Sequence, residues 1–152
     1  MMHKILMELT WWAVTALVAC AVMYPIWPYI DGFPVLQDNL LFIVVFITLT
    51  RYIFLLEFTF LAKIKYLKVF LVLISAPCIF YLVEHHQAFQ TNLDNIGPEY
   101  ITVGVEDKKI LEMASYIKSE FTLFAVGSIV AAILFPIRMI VSVWRQINKG
   151  TV

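Results

Sequence analysis

Charge is scarce in this chain. Only 14% of its 152 residues are Asp, Glu, Lys or Arg, against about 25% in a typical soluble domain. Eleven basic and eleven acidic residues leave the formal net charge at zero. No basic excess is present to attract nucleic acid, so no nucleic-acid partner is expected. Cysteine is nearly missing. Cys20 and Cys78 are too few for a disulfide framework. Both lie in apolar runs, where they read as small buried hydrophobes. Five Gly and six Pro exclude a collagen-like or linker composition. Catalytic signatures are missing as well. The chain has no glycine-rich phosphate loop, no Gly-x-Ser-x-Gly elbow and no pair of carboxylates flanking a cleft. It has no His-Glu-x-x-His motif and no paired-cysteine ligand set. The expectation is a protein that is not an enzyme and carries no cofactor or metal.

What the chain does have is apolar length. Hydrophobic residues make up 62% of it, aromatics 15%, and the mean hydropathy is +0.86. That is too much apolar surface for a soluble fold of this size. A membrane-crossing helix needs about 20 mostly apolar residues. Four segments approach that length: 9–30, 39–62, 66–83 and 121–144. Lipid offers the backbone no hydrogen bonds, so these segments should be helices. The fold class expected is an all-α integral membrane protein, with one four-helix domain spanning 1–152. Leu17-Val18-Ala19-Cys20 resembles a lipobox, but the apolar run continues to Ile30. The segment is therefore read as a retained span. Pro25 and Pro28 mark a kinked exit from it.

The basic residues give an orientation. With a cytoplasmic N-terminus, Lys4, Lys63, Lys65, Lys68, Arg145 and Lys149 lie inside, and Lys108, Lys109 and Lys118 lie outside. Both termini are then cytoplasmic. Trp27 and Tyr29 fall at the outer interface and Trp144 at the inner one. The sizeable loop, 84–120, falls on the outer side. Its first part turns at Asn95, Gly97, Pro98 and Gly104. In its second part Ile110, Met113, Ala114, Ile117 and Phe121 recur at helical spacing, with Lys108, Lys109, Glu112 and Lys118 on the other face. No Gly or Pro separates this stretch from the fourth segment. The pattern predicts one long amphipathic helix emerging from the membrane, a surface for docking.

Three charges fall deep inside the apolar segments, Arg51, Glu57 and Arg138, whereas Lys68 stands at the start of its segment and is counted with the inner side. An ionisable group at that depth is costly and calls for a partner. Arg51 and Glu57 are six residues apart and lie on different faces of a helix. Glu57 and Arg138 share a depth, and the pattern predicts a pair between them, a clamp between helices or a step in an ion relay. Arg51 is left facing backbone carbonyls, Tyr24 or Thr48, or a neighbouring subunit. Glu84, His85 and His86 read as interfacial groups facing solvent. Gly127 with Ala131, Ser128 with Ala132, and Ala16 with Cys20 follow the small-xxx-small spacing that lets helices approach closely.

Several stretches resemble a group of small four-span proteins of Bacteroidota. They are Phe46-Ile47-Thr48-Leu49-Thr50-Arg51-Tyr52-Ile53-Phe54-Leu55-Leu56, Tyr116-Ile117-Lys118-Ser119-Glu120, and the ending from Ser142-Val143-Trp144-Arg145 to Gly150-Thr151-Val152. Genes for that group accompany those for ExbB and ExbD, the proton-driven motor that energises TonB-dependent outer-membrane transport. The resemblance implies an inner-membrane accessory subunit, hetero-oligomeric with ExbB/ExbD-like membrane proteins and surrounded by membrane lipids. Its outer loop and helix would then be periplasmic. It supplies no active residue, and no Asp lies in any of the four segments to match the proton-carrying Asp of ExbD. The alternative is a small proton or ion channel or transporter using Glu57 with Arg51 and Arg138.

Overall fold

The computed structural model describes residues 2–150, with side chains over 5–150. The Lys4 side chain, counted in the charge balance, and Thr151 and Val152 lie outside the described residues. The described residues form four long helices and short 3₁₀ turns, without a strand. The helices are α1 (Met2–Met23), α2 (Leu36–Phe54), α3 (Lys65–Ile96) and α4 (Ile110–Asn148). All four are long and apolar enough to cross a membrane. They run alternately up and down. The start of α1, the end of α2, the start of α3 and the end of α4 meet at one end, here the terminal end. The loop end is opposite.

α4 is the axis of the bundle. α2 lies parallel to it, with Phe42 edge-on to Phe121 at 5.2 Å between ring centres and Phe46 edge-on to Phe124 at 5.9 Å. α3 lies antiparallel to it, with Phe89 stacked on Phe121 at 3.8 Å. Gly127 makes the α2 contact possible. A Cβ there would stand 2.8 Å from the Phe46 ring. A branched side chain must push the ring aside, an overpacking cost of about 1–3 kcal/mol. Gly127→Val is therefore expected to lower the unfolding midpoint in detergent, whereas Ser128→Ala, which keeps the volume small, is expected to lower it less.

Three helix limits differ from expectation. α1 stops at Met23, well short of Ile30. Pro25 supplies no N–H and restricts the residue before it. The chain then folds over the loop end as a 3₁₀ turn, Trp27–Gly32, with Ile26, Phe33 and Val35 buried beneath it. α2 stops at Phe54 and not near Ala62, giving way to 3₁₀ turns at Leu56–Phe58 and Phe60–Lys63. No Pro or Gly lies there. The Thr59 hydroxyl donates to Leu56 O at 2.7 Å, bonding locally in place of a helical turn. α3 passes through Pro77 and runs well beyond the predicted span, to Ile96. Gly97, at φ 88°, caps it, its N–H donating to Leu93 O at 2.9 Å.

The expected long fourth helix is present. It starts at Ile110, after a 3₁₀ turn at Asp107–Lys109, and continues without interruption to Asn148. Ala114, Ile117 and Phe121 are buried, with Ile110 and Met113 half-buried beside them. Lys108, Lys109, Glu112 and Lys118 are all exposed. Lys109 sits 3.4 Å from Glu106, an exposed pair that contributes little. The cysteines correct the sequence reading. Cys20 and Cys78 are both free and exposed. In a chain whose outside is also apolar, an apolar run does not distinguish core from surface.

Candidate functional site

Three arrangements could carry function: a polar knot at the terminal end, a buried polar pair at the loop end, and an apolar cleft between α2 and α3.

The knot gathers two charges of the apolar segments, Arg51 and Arg138, though not as the sequence suggested. Because α2 ends at Phe54, Arg51 lies in its last turn and not at mid-helix. Its guanidinium reaches Glu8 of α1, 2.6 Å away, with side-chain exposures of 6% and 17%. The Trp11 and Tyr52 rings lie 5.9 Å and 5.3 Å from it. Arg51 thus has the partner that the sequence reading did not assign to it. Glu8 lies one residue ahead of the apolar segment 9–30. The predicted Glu57–Arg138 pair does not form. Glu57 lies on the first 3₁₀ turn after α2 and is exposed. The helix break turns it away from α4. Arg138 instead donates its Nε–H to Ile53 O at 3.0 Å. That carbonyl belongs to the last turn of α2, where a helix lacks partners and its dipole favours a cation.

Lys68 completes the knot. It is fully buried. Its ammonium donates to Ala62 O, Ser142 Oγ and Gln146 Oε1 at 2.5, 2.8 and 3.0 Å. Gln146 also donates to Ala62 O at 2.9 Å. An ammonium has three donors, and all three are used. Its place among the inner-side basic residues gives no sign of this burial. Lys68 is a clamp tying the α2–α3 connection to α4.

At the loop end, Asn39 in the first turns of α2 meets Glu120 of α4. Asn39 is wholly buried and Glu120 is 8% exposed. Asn39 Nδ2 donates to Glu120 Oε1 at 2.5 Å and also lies 3.5 Å from Met23 Sδ of α1. Glu120 Oε2 and Asn39 Oδ1 are buried without a partner. Glu120 directly precedes the fourth predicted span, and burial raises its carboxyl above the ordinary carboxylate value, with the Asn39 amide opposing in part. One turn earlier, the Tyr116 hydroxyl donates to Val22 O at 2.6 Å. Burial and the nearby Glu120 carboxylate both raise its phenol. Neither Asn39 nor Glu120 was singled out from the sequence. A signal was present: Glu120 follows Ile117 by three residues and Met113 by seven, and so falls on the apolar stripe of α4.

Beside this pair, His85 of α3 and Asp38 of α2 approach to 2.8 Å, and the His85 ring lies 4.1 Å from Tyr81. Neither histidine is simply solvent-facing. His85 is half-buried, and His86 Nδ1 is buried without a partner. Burial lowers the His86 imidazole below its ordinary value. Among the described residues no three His, Cys, Asp or Glu side chains converge to hold a metal.

The cleft arises because α2 and α3 each pack on α4 more than on each other. It measures about 680 Å³, and Leu41, Val45, Leu71, Ile74, Cys78 and Phe135 are among its walls. That is within the roughly 300–1,000 Å³ of typical ligand sites, but almost nothing polar lines it. It can hold an apolar body and offers no chemistry. No family model matches the chain, and no curated protein or solved structure gives a match.

Proposed function

We propose that this chain is a non-enzymatic accessory subunit of an ExbB/ExbD-type proton-driven motor. In this reading it crosses the bacterial inner membrane four times with both termini cytoplasmic. The basic residues favour that orientation, and the stretches around Arg51, Tyr116 and Trp144 resemble the motor-associated group.

One observation carries the docking role. The α2–α3 cleft is an open apolar slot along the spans, of a size to admit side chains of a partner helix. Association of helices in lipid rests on packing and close approach, which such a slot provides. The charges of the knot are engaged within the chain and are not the contact. The exposed Lys108, Lys109, Glu112 and Lys118 form a second, polar surface on the periplasmic side.

Cys78 makes the reading testable, because it is exposed and lines the cleft. A thiol-reactive photocrosslinker is attached at Cys78 in native membranes carrying the Cys20→Ala variant. After illumination and mild detergent extraction, mass spectrometry should find ExbB- or ExbD-like proteins joined to this chain. Adducts with lipid alone, or with unrelated proteins alone, would overturn the reading.

A further inference from the structure

Two oxygens at the loop end are buried with no donor to bond. They are Glu120 Oε2 and Asn39 Oδ1. Each belongs to a planar group whose other polar atom is already engaged, Asn39 Nδ2 with Glu120 Oε1 at 2.5 Å. An ionised carboxylate here would be a charge 8% exposed with a single amide donor. Burying a charge so sparsely bonded is strongly unfavourable. A carboxylic acid resolves both defects, because it carries one O–H donor and Asn39 offers the idle acceptor.

We propose that Glu120 and Asn39 form a buried proton-binding site in which Glu120 Oε2 takes up one proton reversibly and donates it in a hydrogen bond to Asn39 Oδ1. The amide and the acid are then joined by two hydrogen bonds, and α2 is tied to α4 at the loop end. Loss of the proton leaves a buried carboxylate with the Asn39 amide as its one donor and loosens the contact of α4 with α2.

The surroundings favour a proton over other ligands. From α1 come the Met23 sulfur and the Val22 carbonyl, neither titratable, and Val22 O already accepts from Tyr116. From α2 comes Asp38, beside Asn39 in the chain and engaged with His85 of α3. α3 also carries His86, and α4 itself carries Tyr116. Among the described residues no Lys, Arg or His bonds to Glu120 or forms an ion pair with it. A hard cation takes about six to eight oxygen ligands, and two idle oxygens are too few. The site is independent of the motor reading, since it needs no partner subunit.

Infrared difference spectroscopy of the full chain in lipid nanodiscs tests it, between about pH 5 and about pH 9, the range in which buried carboxyls titrate. The wild type should show a protonated-carboxyl C=O band at the acid end that is lost at the alkaline end. Glu120→Gln, which keeps the shape and cannot ionise, should lack that band. Asn39→Ala removes the acceptor of the acid's O–H along with the amide donor, and should move the band to the higher frequency of a carboxylic acid that donates no hydrogen bond. The Asn39→Ala shift gives the reading even where Glu120→Gln fails to fold. An identical band in wild type and Glu120→Gln, or an Asn39→Ala band at the wild-type frequency, would overturn the proposal. So would loss of the band on adding Na⁺ or K⁺ at fixed pH, which would make the ligand a metal cation.

Discussion

Replacing Arg51 with methionine is expected to destabilise the folded chain by about 3–5 kcal/mol, the range for removing one partner of a buried ion pair. The variant leaves Glu8 with a side chain 17% exposed and its cation gone. Glu8→Leu makes the converse error, leaving the guanidinium, 6% exposed, with only the Trp11 and Tyr52 rings. Those rings offset part of the loss, by about 0.5–2 kcal/mol each, so Glu8→Leu should cost less than Arg51→Met. The double variant removes both charges and replaces them with apolar groups, an exchange often neutral or stabilising. It should be more stable than either single variant. Reversible unfolding in mixed micelles, followed by Trp fluorescence, measures all three. If the single effects simply add, the two side chains are not coupled and the ion pair does not hold α1 to α2.

That pair also shows where sequence reading stops. Arg51 was recognisable as a costly charge from its position in an apolar run. Its partner was not, because Glu8 stood near the start of another segment and the end of α2 was placed at Ala62. Nothing between Phe54 and Lys65 is a helix breaker by type. At the helix end Arg138 donates to the Ile53 carbonyl, and the turns that follow are fastened where Lys68 and Gln146 donate to the Ala62 carbonyl. Tertiary capping of this kind has no local pattern. By contrast, the long α4 was legible, since Ile110, Met113, Ala114, Ile117 and Phe121 carry the helical period with no Gly or Pro between them. Pro77 and Pro136 illustrate the opposite limit. Both lie inside helices that continue past them, as neighbouring segments and side chains in a membrane bundle can re-satisfy the freed carbonyl. Hydropathy identified the four long helices and was silent on facing. Cys20 and Cys78 lie on the outside of apolar helices, while Lys68 and Asn39 are wholly buried.

Lys68 carries the second large effect. Lys68→Ala withdraws three donated hydrogen bonds and a long buried stem at once. Ala62 O keeps only the Gln146 amide, Gln146 Oε1 loses its donor, and a cavity opens beneath α4. Large-to-small core changes cost about 2–5 kcal/mol, and each buried acceptor left idle adds about 1–3 kcal/mol. Lys68→Met separates the two parts, because it refills the volume without the donors. It also removes a buried charge near the Arg138 cation, which works in its favour. Lys68→Met should therefore be clearly more stable than Lys68→Ala, and both less stable than wild type. Pulsed proteolysis in detergent reads the order directly, and cleavage should begin in the 3₁₀ turns of 56–63, which the ammonium fastens to α4. Equal stability of Lys68→Ala and wild type would mean that the bonded ammonium contributes nothing net. Lys68→Met exceeding wild type would mean that burying the charge costs more than its three hydrogen bonds return, and that the chain keeps Lys68 to fix the α2–α3 connection in one geometry rather than to stabilise it.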